Sequence, residues 1–295
     1  MKFDLSLDLN LVLMETPIWD DRNKKMLLTD LFTGDIHEFE PSTKKDTLYQ
    51  TNSLIGSAIP CDDSNKILCA IDRGICLVDK TDGSIKVIAD PNQANENNRY
   101  NDARVDAAGR VFVSTVSKLY GSADYEPTML GDFYMVDTDG SVKTIAAGIN
   151  QYNAIVWNQD STKMFVVDTY NNQLLCFDYD LAKGPISGGR VALDLQKIGM
   201  PDGMCIDSED NLYICHWTGK ISVWDKDLNQ IELIDFPVEQ VCCCGFGGED
   251  LKDLYVATAR FGYTDEQMAH RNGAGSLFVG RCNKKGAMDH FYRVK

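Results

Sequence analysis

The sequence predicts an all-β protein, a six-bladed β-propeller closed by its N-terminal strand. First, a unit of short apolar runs separated by Asp, Asn and Gly turns recurs six times along the chain. Second, each unit spans roughly 40–50 residues, which is the length of a propeller blade. Third, apolar residues at helical spacing are nearly absent, whereas the turn residues that hairpins need are dense. A pair of β-sandwiches is the alternative, and the regular recurrence of the unit favours the propeller.

Each unit carries short apolar runs in a fixed order, which the first unit illustrates. Ile18-Trp19 is followed by the turn Asp20–Asn23, by the run Met26–Asp30 and by the run Gly34–Phe39. Successive runs joined by short turns are typical of antiparallel strands that pair with their neighbours in the chain. The other five units occupy residues 58–85, 103–140, 154–178, 204–225 and 243–279.

The N-terminal residues alternate between apolar and other side chains from Phe3 to Leu11. Period two indicates a strand, whereas a secretory signal would carry a continuous apolar block. We expect this strand to complete the last blade, which joins the two chain ends and makes residues 1–295 a single domain. No segment approaches the roughly 20 apolar residues of a membrane span, so we expect no membrane partner.

The composition is that of a folded acidic protein. Of its 295 residues 44% are hydrophobic, which is ample for a buried core. Lys and Arg number 29 against 44 Asp and Glu, and the resulting charge of −15 disfavours nucleic acid and anionic membranes as partners. The acidic residues are scattered, so the sequence indicates no charged tail.

Ten cysteines are spread over the chain, and none forms a C-x-x-C pair. Several lie inside apolar runs, so we interpret them as reduced, buried side chains of a cytoplasmic protein, neither a zinc site nor a disulfide framework. Cys242, Cys243 and Cys244 are consecutive. Because successive strand residues face opposite ways, the three cannot jointly bind one metal, and we expect them in the core.

Four oxygen-bearing side chains occupy similar places in four of the units. Glu15, Asn101, Asn153 and Asp202 each lie shortly before the first apolar run of a unit. In a propeller the first strands line the central channel, so these side chains would meet at one mouth of it. Two carboxylates and two amides suit Ca²⁺, Mg²⁺ or Mn²⁺, and Zn²⁺ where water completes the shell. The alternative is that they are ordinary turn residues, since Asn and Asp are common there.

Other polar residues near the predicted mouth have weaker signals. Arg99 lies two residues before Asn101 and is expected to hold hydroxyls or a carboxylate, the alternative being a surface ion pair. His216 follows a strand run and is more typical of a packed core residue than of a ligand. No G-x-S-x-G motif is present, and the sequence indicates no Ser-His-Asp triad.

Three longer connections interrupt the repeat, at residues 89–100, 117–130 and 261–272. Segments of this length in a compact fold are often functional lids. Mobile surface loops are an equally good interpretation of each.

Two segments around the predicted mouth are the most specific in the sequence, Pro201-Asp202-Gly203-Met204 and Asn101-Asp102. Through these segments the chain resembles the senescence-marker-protein/gluconolactonase family, and the resemblance covers nearly its whole length. The family usually has Gly-Lys after Asn-Asp, where this chain has Ala103-Arg104. The remaining matches are Glu15–Asp20, Val105-Asp106 with Gly109-Arg110, Asn153 before Trp157, Cys205–Asp207, and Phe246–Gly248 before Leu254–Val256.

The resemblance implies a metal-dependent sugar lactonase. By matching positions, Glu15, Asn153 and Asp202 would hold one divalent ion (Ca²⁺, Mg²⁺, Mn²⁺ or Zn²⁺), and Arg99 and Asn101 would contact the sugar lactone. Asp202 would also act as general base while the metal polarises the lactone carbonyl. A phosphotriesterase like diisopropyl-fluorophosphatase and a non-catalytic metal-binding propeller are the alternatives. Segment 117–130 would supply a lid or specificity contacts, with Glu126 as one candidate.

Overall fold

The computed structural model of the protein describes residues 1–271 and 273–295. Its described residues form strands and one short helix, α1, at Asp265–Met268. The strands are β1 Phe3–Leu7, β2 Met14–Asp20, β3 Lys25–Asp30, β4 Asp35–Glu40, β5 Lys45–Gln50, β6 Ile55–Pro60, β7 Lys66–Ile71, β8 Gly74–Asp79, β9 Ile85–Ala89, β10 Asn98–Val105, β11 Val111–Ser117, β12 Gly131–Val136, β13 Val142–Ile149, β14 Tyr152–Trp157, β15 Lys163–Asp168, β16 Gln173–Asp180, β17 Gly184–Pro185, β18 Arg190–Asp194, β19 Pro201–Ile206, β20 Leu212–His216, β21 Lys220–Trp224, β22 Gln230–Asp235, β23 Val241–Gly247, β24 Asp253–Thr258 and β25 Leu277–Arg281.

These strands build six antiparallel sheets arranged as the blades of a β-propeller, as the sequence predicts. Blades 1, 2, 3 and 5 are the four-stranded sheets β2–β5, β6–β9, β10–β13 and β19–β22. Blade 4 begins with β14, β15 and β16, and both β17 and β18 pair with β16. Blade 6 contains β23, β24, β25 and β1. No helix among the described residues is long and apolar enough to cross a bilayer.

The N-terminal strand closes the ring, which confirms that prediction. β1 pairs antiparallel with β25, and Phe3 lies opposite Gly280. The strand ends at Leu7, short of the predicted Leu11, because the backbone N–H groups of Leu9 and Asn10 donate to the Ser276 hydroxyl and not to a strand partner. Leu9 and Leu11 still contribute to the core, since they pack against an apolar cluster shared by blades 1 and 6.

Burial follows the position of a strand within its blade. The innermost strands β6, β10 and β23 are buried along their whole length, whereas the outermost strands β5 and β22 are largely exposed. Apolar clusters fill the space between neighbouring blades, as Phe112, Phe133 and Phe177 do between blades 3 and 4. The ring is therefore held mainly by burial of apolar surface between blades.

The turn after the innermost strand is capped by its own acidic or amide side chain. Asp106 Oδ1 accepts hydrogen bonds from the backbone N–H groups of Ala108 and Arg110. Asp207 makes the same pair of contacts in blade 5. Side chains of this type stabilise tight turns by satisfying backbone donors, which explains the recurring Asp and Asn of the sequence.

Every innermost strand carries one extra residue in its pairing with the second strand. The register breaks between Glu15 and Ile18 in blade 1, and each of the other five blades has a corresponding break. Such a β-bulge locally frees a residue from the ladder and re-aims its side chain. These six bulges lie toward one end of the channel and position the side chains of the site.

The C-terminal segment 282–295 crosses the opposite end of the channel. Ala287 donates its backbone N–H to the Ile206 carbonyl at 3.1 Å, and Tyr292 donates to the Pro60 carbonyl at 3.0 Å. A cavity of about 150 Å³ remains there, and its lining includes Arg104 and Asp289. The two ends of the channel therefore differ, because this one is spanned by the tail.

Candidate metal and substrate site

A cavity of about 470 Å³ opens at the end of the channel where the bulges lie, and its lining includes all five of the predicted site residues. This volume is within the range of small-molecule sites. The predicted residues are Glu15, Arg99, Asn101, Asn153 and Asp202. Residues from blades 1, 3, 4 and 5 thus meet at one mouth.

Glu15 and Asp202 form the acidic centre of this cavity, and a thiol lies beside them. One carboxylate oxygen from each and the Sγ atom of Cys242 all lie within 4.8 Å of one another. Asp202 and Cys242 are buried, and Glu15 is partly buried. Three ligand-type atoms so close together are suitably arranged to share one cation.

The electrostatics of the centre favour a bound cation. Burial, followed by the charges of Asp202 and Asp102, holds the pKa of Glu15 well above its usual range, and Arg99 opposes this. Burial also raises the pKa of Asp202 to about 7, against hydrogen bonds from Trp217 and Asn153 that lower it. Both carboxyl groups are therefore short of compensating positive charge, which a divalent ion would supply.

A chain of hydrogen bonds connects the predicted substrate residues to Asp202. Arg99 Nη1 donates to Asn101 Oδ1 at 2.7 Å, and Asn101 Nδ2 donates to Asn153 Oδ1 at 2.6 Å. Asn153 Nδ2 then donates to Asp202 Oδ1 at 2.6 Å. Arg99 is a donor only and Asn101 Nδ2 also reaches the Tyr152 carbonyl, so the orientation of the chain is determined. The amide oxygen of Asn153 consequently faces Asn101 and not the carboxylates.

Trp217 is a site residue that the sequence reasoning missed. Its Nε1 donates to Asp202 Oδ2 at 2.6 Å, so each oxygen of this carboxylate accepts one hydrogen bond from the protein. Trp217 directly follows β20, the second strand of the blade that carries Asp202. The signal in the sequence was a Trp placed directly after the second strand of the blade. Antiparallel pairing brings the end of β20 beside the start of β19, where Asp202 lies.

Cys242 is the second residue that the prediction did not place here. Cys242, Cys243 and Cys244 are all buried in β23, as expected. Of these three, Cys242 is the one whose sulfur lies close to the carboxylates of Glu15 and Asp202. Counting back five residues from the turn residues Asp20, Asp106, Asn158 and Asp207 gives the four predicted oxygen donors. The same count from Gly247, at the end of β23, gives Cys242. The spacing was therefore visible in the sequence.

Aromatic rings form the upper walls of the cavity. Phe32 and Phe261 stack with centroids 5.6 Å apart, and Trp217 packs edge-on against Phe261. On another side, Tyr125 packs edge-on against Tyr120 at 5.0 Å and against Tyr170 at 6.5 Å. The floor of the site is thus charged and its walls are largely apolar.

Two of the three longer segments contribute to these walls. Segment 117–130 supplies Tyr120 and Tyr125, whereas Glu126 is exposed and is not among the residues that line the cavity. Segment 261–272 supplies Phe261, and Asn272 at its end lies outside the described residues. These two segments therefore line the site with aromatic side chains and not with a carboxylate.

His216 is a packed core residue, as its strand position indicates. It is buried, with Nδ1 at 2.9 Å from the Gly199 carbonyl and Nε2 at 2.8 Å from the Ser222 hydroxyl. Burial lowers its pKa to about 4, so the ring is neutral at physiological pH. Its partners are structural, and it does not line the cavity.

Comparison with known proteins gives one consistent result. The family model "SMP-30/Gluconolactonase/LRE-like region" matches residues 13–260. A putative sugar lactone lactonase, YvrE, of Bacillus subtilis is 27% identical over 285 residues, covering 96% of this chain and 95% of the relative. Regucalcin of Danio rerio is 29% identical over 268 residues, covering 90% of this chain and 88% of the relative.

The fold agrees with these matches. The crystal structure of a calcium-binding protein, regucalcin, from Agrobacterium tumefaciens superposes with a TM-score of 0.90 at 25% sequence identity. The superposition covers 98% of this chain and 97% of that one. The likeness therefore extends over the whole propeller.

Proposed function

The chain belongs to the SMP-30/gluconolactonase/LRE-like family, and from that premise we propose that it is a divalent-metal-dependent hydrolase that opens a sugar lactone to the sugar acid. The observation that carries the proposal is the close approach of two carboxyl groups, Glu15 and Asp202, at the floor of a cavity of about 470 Å³. Both groups have raised pKa values. A small-molecule lactone is the expected partner, and residues 1–295 would act as a single domain.

Glu15, Asp202 and Asn153 would hold the metal. The two carboxylates already lie close enough to share an ion, and Asn153 lies in hydrogen-bond contact with Asp202. As oriented here, Asn153 offers N–H to Asp202, so ligation through its oxygen requires the amide to turn. When bound, the ion would act as a Lewis acid that polarises the lactone carbonyl.

Asp202 is the proposed general base. Without metal, burial raises the pKa of Asp202 to about 7, and a bound cation would lower it, so the carboxylate would be ionised and able to accept a proton near neutral pH. It would take a proton from the attacking water and return it to the ring oxygen as the ring opens. The Trp217 and Asn153 hydrogen bonds hold the carboxylate in one orientation, which keeps its remaining lone pairs directed at a fixed point.

Arg99 and Asn101 would orient the hydroxyl groups of the sugar. The hydrogen bonds that Arg99 makes to the described residues use Nη1, on Asn101 and on the Tyr100 carbonyl. A guanidinium carries five N–H donors, so donors remain for a substrate. The surrounding aromatic walls would exclude water and strengthen these contacts.

The test is hydrolysis of a panel of aldonolactones by metal-stripped protein, followed with a pH indicator while single divalent ions are added back. A restored rate well above spontaneous ring opening, absent from Asp202→Asn, supports the proposal. A phosphotriester is included in the panel. Turnover of the phosphotriester alone would transfer the assignment to a phosphotriesterase, and metal binding without any turnover would leave a binding propeller.

A further inference from the structure

The innermost strands place six corresponding residues around the channel, one for each bulge. They are Glu15, Gly56, Asn101, Asn153, Asp202 and Cys242, each five residues before the residue that ends or follows its strand. Four of these are the oxygen donors of the candidate site. Cys242 is the member contributed by blade 6.

Gly56 explains why blade 2 contributes no side chain. A Cβ atom at this position would lie 2.0 Å from the Asn101 carbonyl oxygen, so the backbone of blade 3 occupies the space. Five side chains therefore remain to surround the axis, and four of them carry oxygen. The fifth is a thiol in the same structural position.

The sulfur lies at a distance suited to coordination. In a tetrahedral zinc site with Zn–S of about 2.3 Å and Zn–O of about 2.0 Å, sulfur and oxygen ligands are about 3.5 Å apart. The Cys242 Sγ atom and one oxygen each of Glu15 and Asp202 lie within 4.8 Å of one another. Shifts of the order of 1 Å would thus bring all three onto one ion.

The local contacts of Cys242 leave its sulfur available. Its thiol donates one hydrogen bond to the described residues, to the Gln240 carbonyl at 3.4 Å, which leaves the lone pairs of the sulfur unused. Asn153, the third ligand implied by the family resemblance, turns its amide oxygen toward Asn101. Among the His, Cys, Asp and Glu side chains of the described residues, the Cys242 sulfur is the donor that meets both carboxylates.

We propose that the Cys242 thiolate coordinates the metal together with Glu15 and Asp202, which makes this centre selective for Zn²⁺ over Ca²⁺ and Mg²⁺. On binding, the S–H bond breaks, the proton passes to solvent, and a metal–sulfur bond forms without any change of oxidation state. Thiolate ligands favour Zn²⁺, whereas Ca²⁺ and Mg²⁺ prefer oxygen alone. The proposal rests on the metal site of the proposed function, but not on its reaction.

Cobalt provides the first test, because a Co²⁺–thiolate bond gives a charge-transfer band in the near ultraviolet. Co²⁺ added to metal-stripped wild-type protein is expected to produce this band, and Cys242→Ser to abolish it. Cys69→Ser, a buried cysteine of blade 2, and Cys244→Ser in the same strand are the matched controls and should retain it. A band that survives in Cys242→Ser overturns the proposal.

Affinity gives the second readout. Zn²⁺ binding should release one proton more in wild type than in Cys242→Ser, because only the wild type ionises a thiol. The Zn²⁺/Ca²⁺ affinity ratio should fall at least about tenfold in the variant, as for other residues that support a metal. Equal proton release and an unchanged ratio would contradict the assignment.

X-ray absorption of zinc-loaded wild-type protein needs no variant and decides the matter if Cys242→Ser fails to fold. A sulfur neighbour at about 2.3 Å is expected, and a shell of oxygen or nitrogen alone overturns the proposal. The outcomes also separate the two proposals. Sulfur ligation without lactone turnover leaves this inference standing and removes the lactonase, and turnover with an all-oxygen shell does the reverse.

Discussion

Replacing Asp202 by Asn is expected to abolish lactone turnover and, at the same time, to stabilise the metal-free protein at alkaline pH. The substitution keeps the size of the side chain and removes a buried charge that Arg99 and the hydrogen bonds from Trp217 and Asn153 compensate only in part. Functional carboxylates of this kind are held at a cost to stability.

The size of this effect follows from the pKa of Asp202. Folding raises it from 3.8 to about 7, so between these values the folded protein holds a proton that the unfolded chain has lost. The stability of the metal-free protein therefore falls as pH rises through this window, and the loss is complete above pH 7. At about 1.4 kcal/mol for each unit of pKa difference, the cost is about 4 kcal/mol.

Asn recovers part of this cost. It has one oxygen in place of two, so it accepts from Trp217 or from Asn153 but not from both. The other donor then faces the amide NH2 group and is left unsatisfied, which costs about 1–3 kcal/mol. Metal-free Asp202→Asn should thus be about 1–3 kcal/mol more stable than metal-free wild type at pH 8. The difference should vanish or reverse near pH 4, because this pH is close to the unfolded-state pKa of 3.8 and little of the cost has developed there.

Urea unfolding of chelator-treated protein at pH 8 and pH 4 measures both differences. Glu249→Gln, which removes an exposed negative charge, is the control for the overall charge of −15. Adding the divalent ion should stabilise wild type far more than the variant, because Asp202→Asn has lost one charged ligand. A metal-free variant that is no more stable than wild type at pH 8 would refute the reasoning about the buried charge.

Three further predictions test other contacts. Trp217→Phe removes the indole donor to Asp202 and should lower metal affinity about tenfold while the fold is retained. Calorimetric metal titration measures the affinity, and an unchanged value counts against the idea that Trp217 positions the Asp202 carboxylate. Arg104→Met leaves Asp102 buried without its 2.7 Å partner and should cost about 3–5 kcal/mol of unfolding free energy; adding Asp102→Asn should restore much of it, whereas strict additivity of the two changes in urea unfolding would argue against the pair. Wild type should lose about 3 kcal/mol of unfolding free energy as pH falls from 6.5 to about 4, because the unfolded chain binds a proton on His216 that the buried ring does not. His216→Gln should remove this loss. Parallel pH dependence of unfolding in both proteins would contradict the prediction.

The blades could be predicted from the sequence because their signals are local. A short apolar run followed by an Asp that caps its own turn is specified within a few residues, as around Asp106 and Asp207. The repetition of that unit then leaves a closed ring as the arrangement that buries every blade face. For the same reason Glu15, Asn101, Asn153 and Asp202 could be expected at one mouth.

What only the tertiary structure decided concerns atoms brought together from distant parts of the chain. Cys242 approaches Glu15 because blade 6 is joined to blade 1 by the closure of the ring, and its side chain is aimed by a bulge that sequence patterns do not show. Trp217 meets Asp202 across a strand pair, and the amide of Asn153 is turned by the chain of donors that starts at Arg99. Periodicity determines which face a residue occupies, but only packing determines the direction of each side chain and therefore the donor atoms of the site.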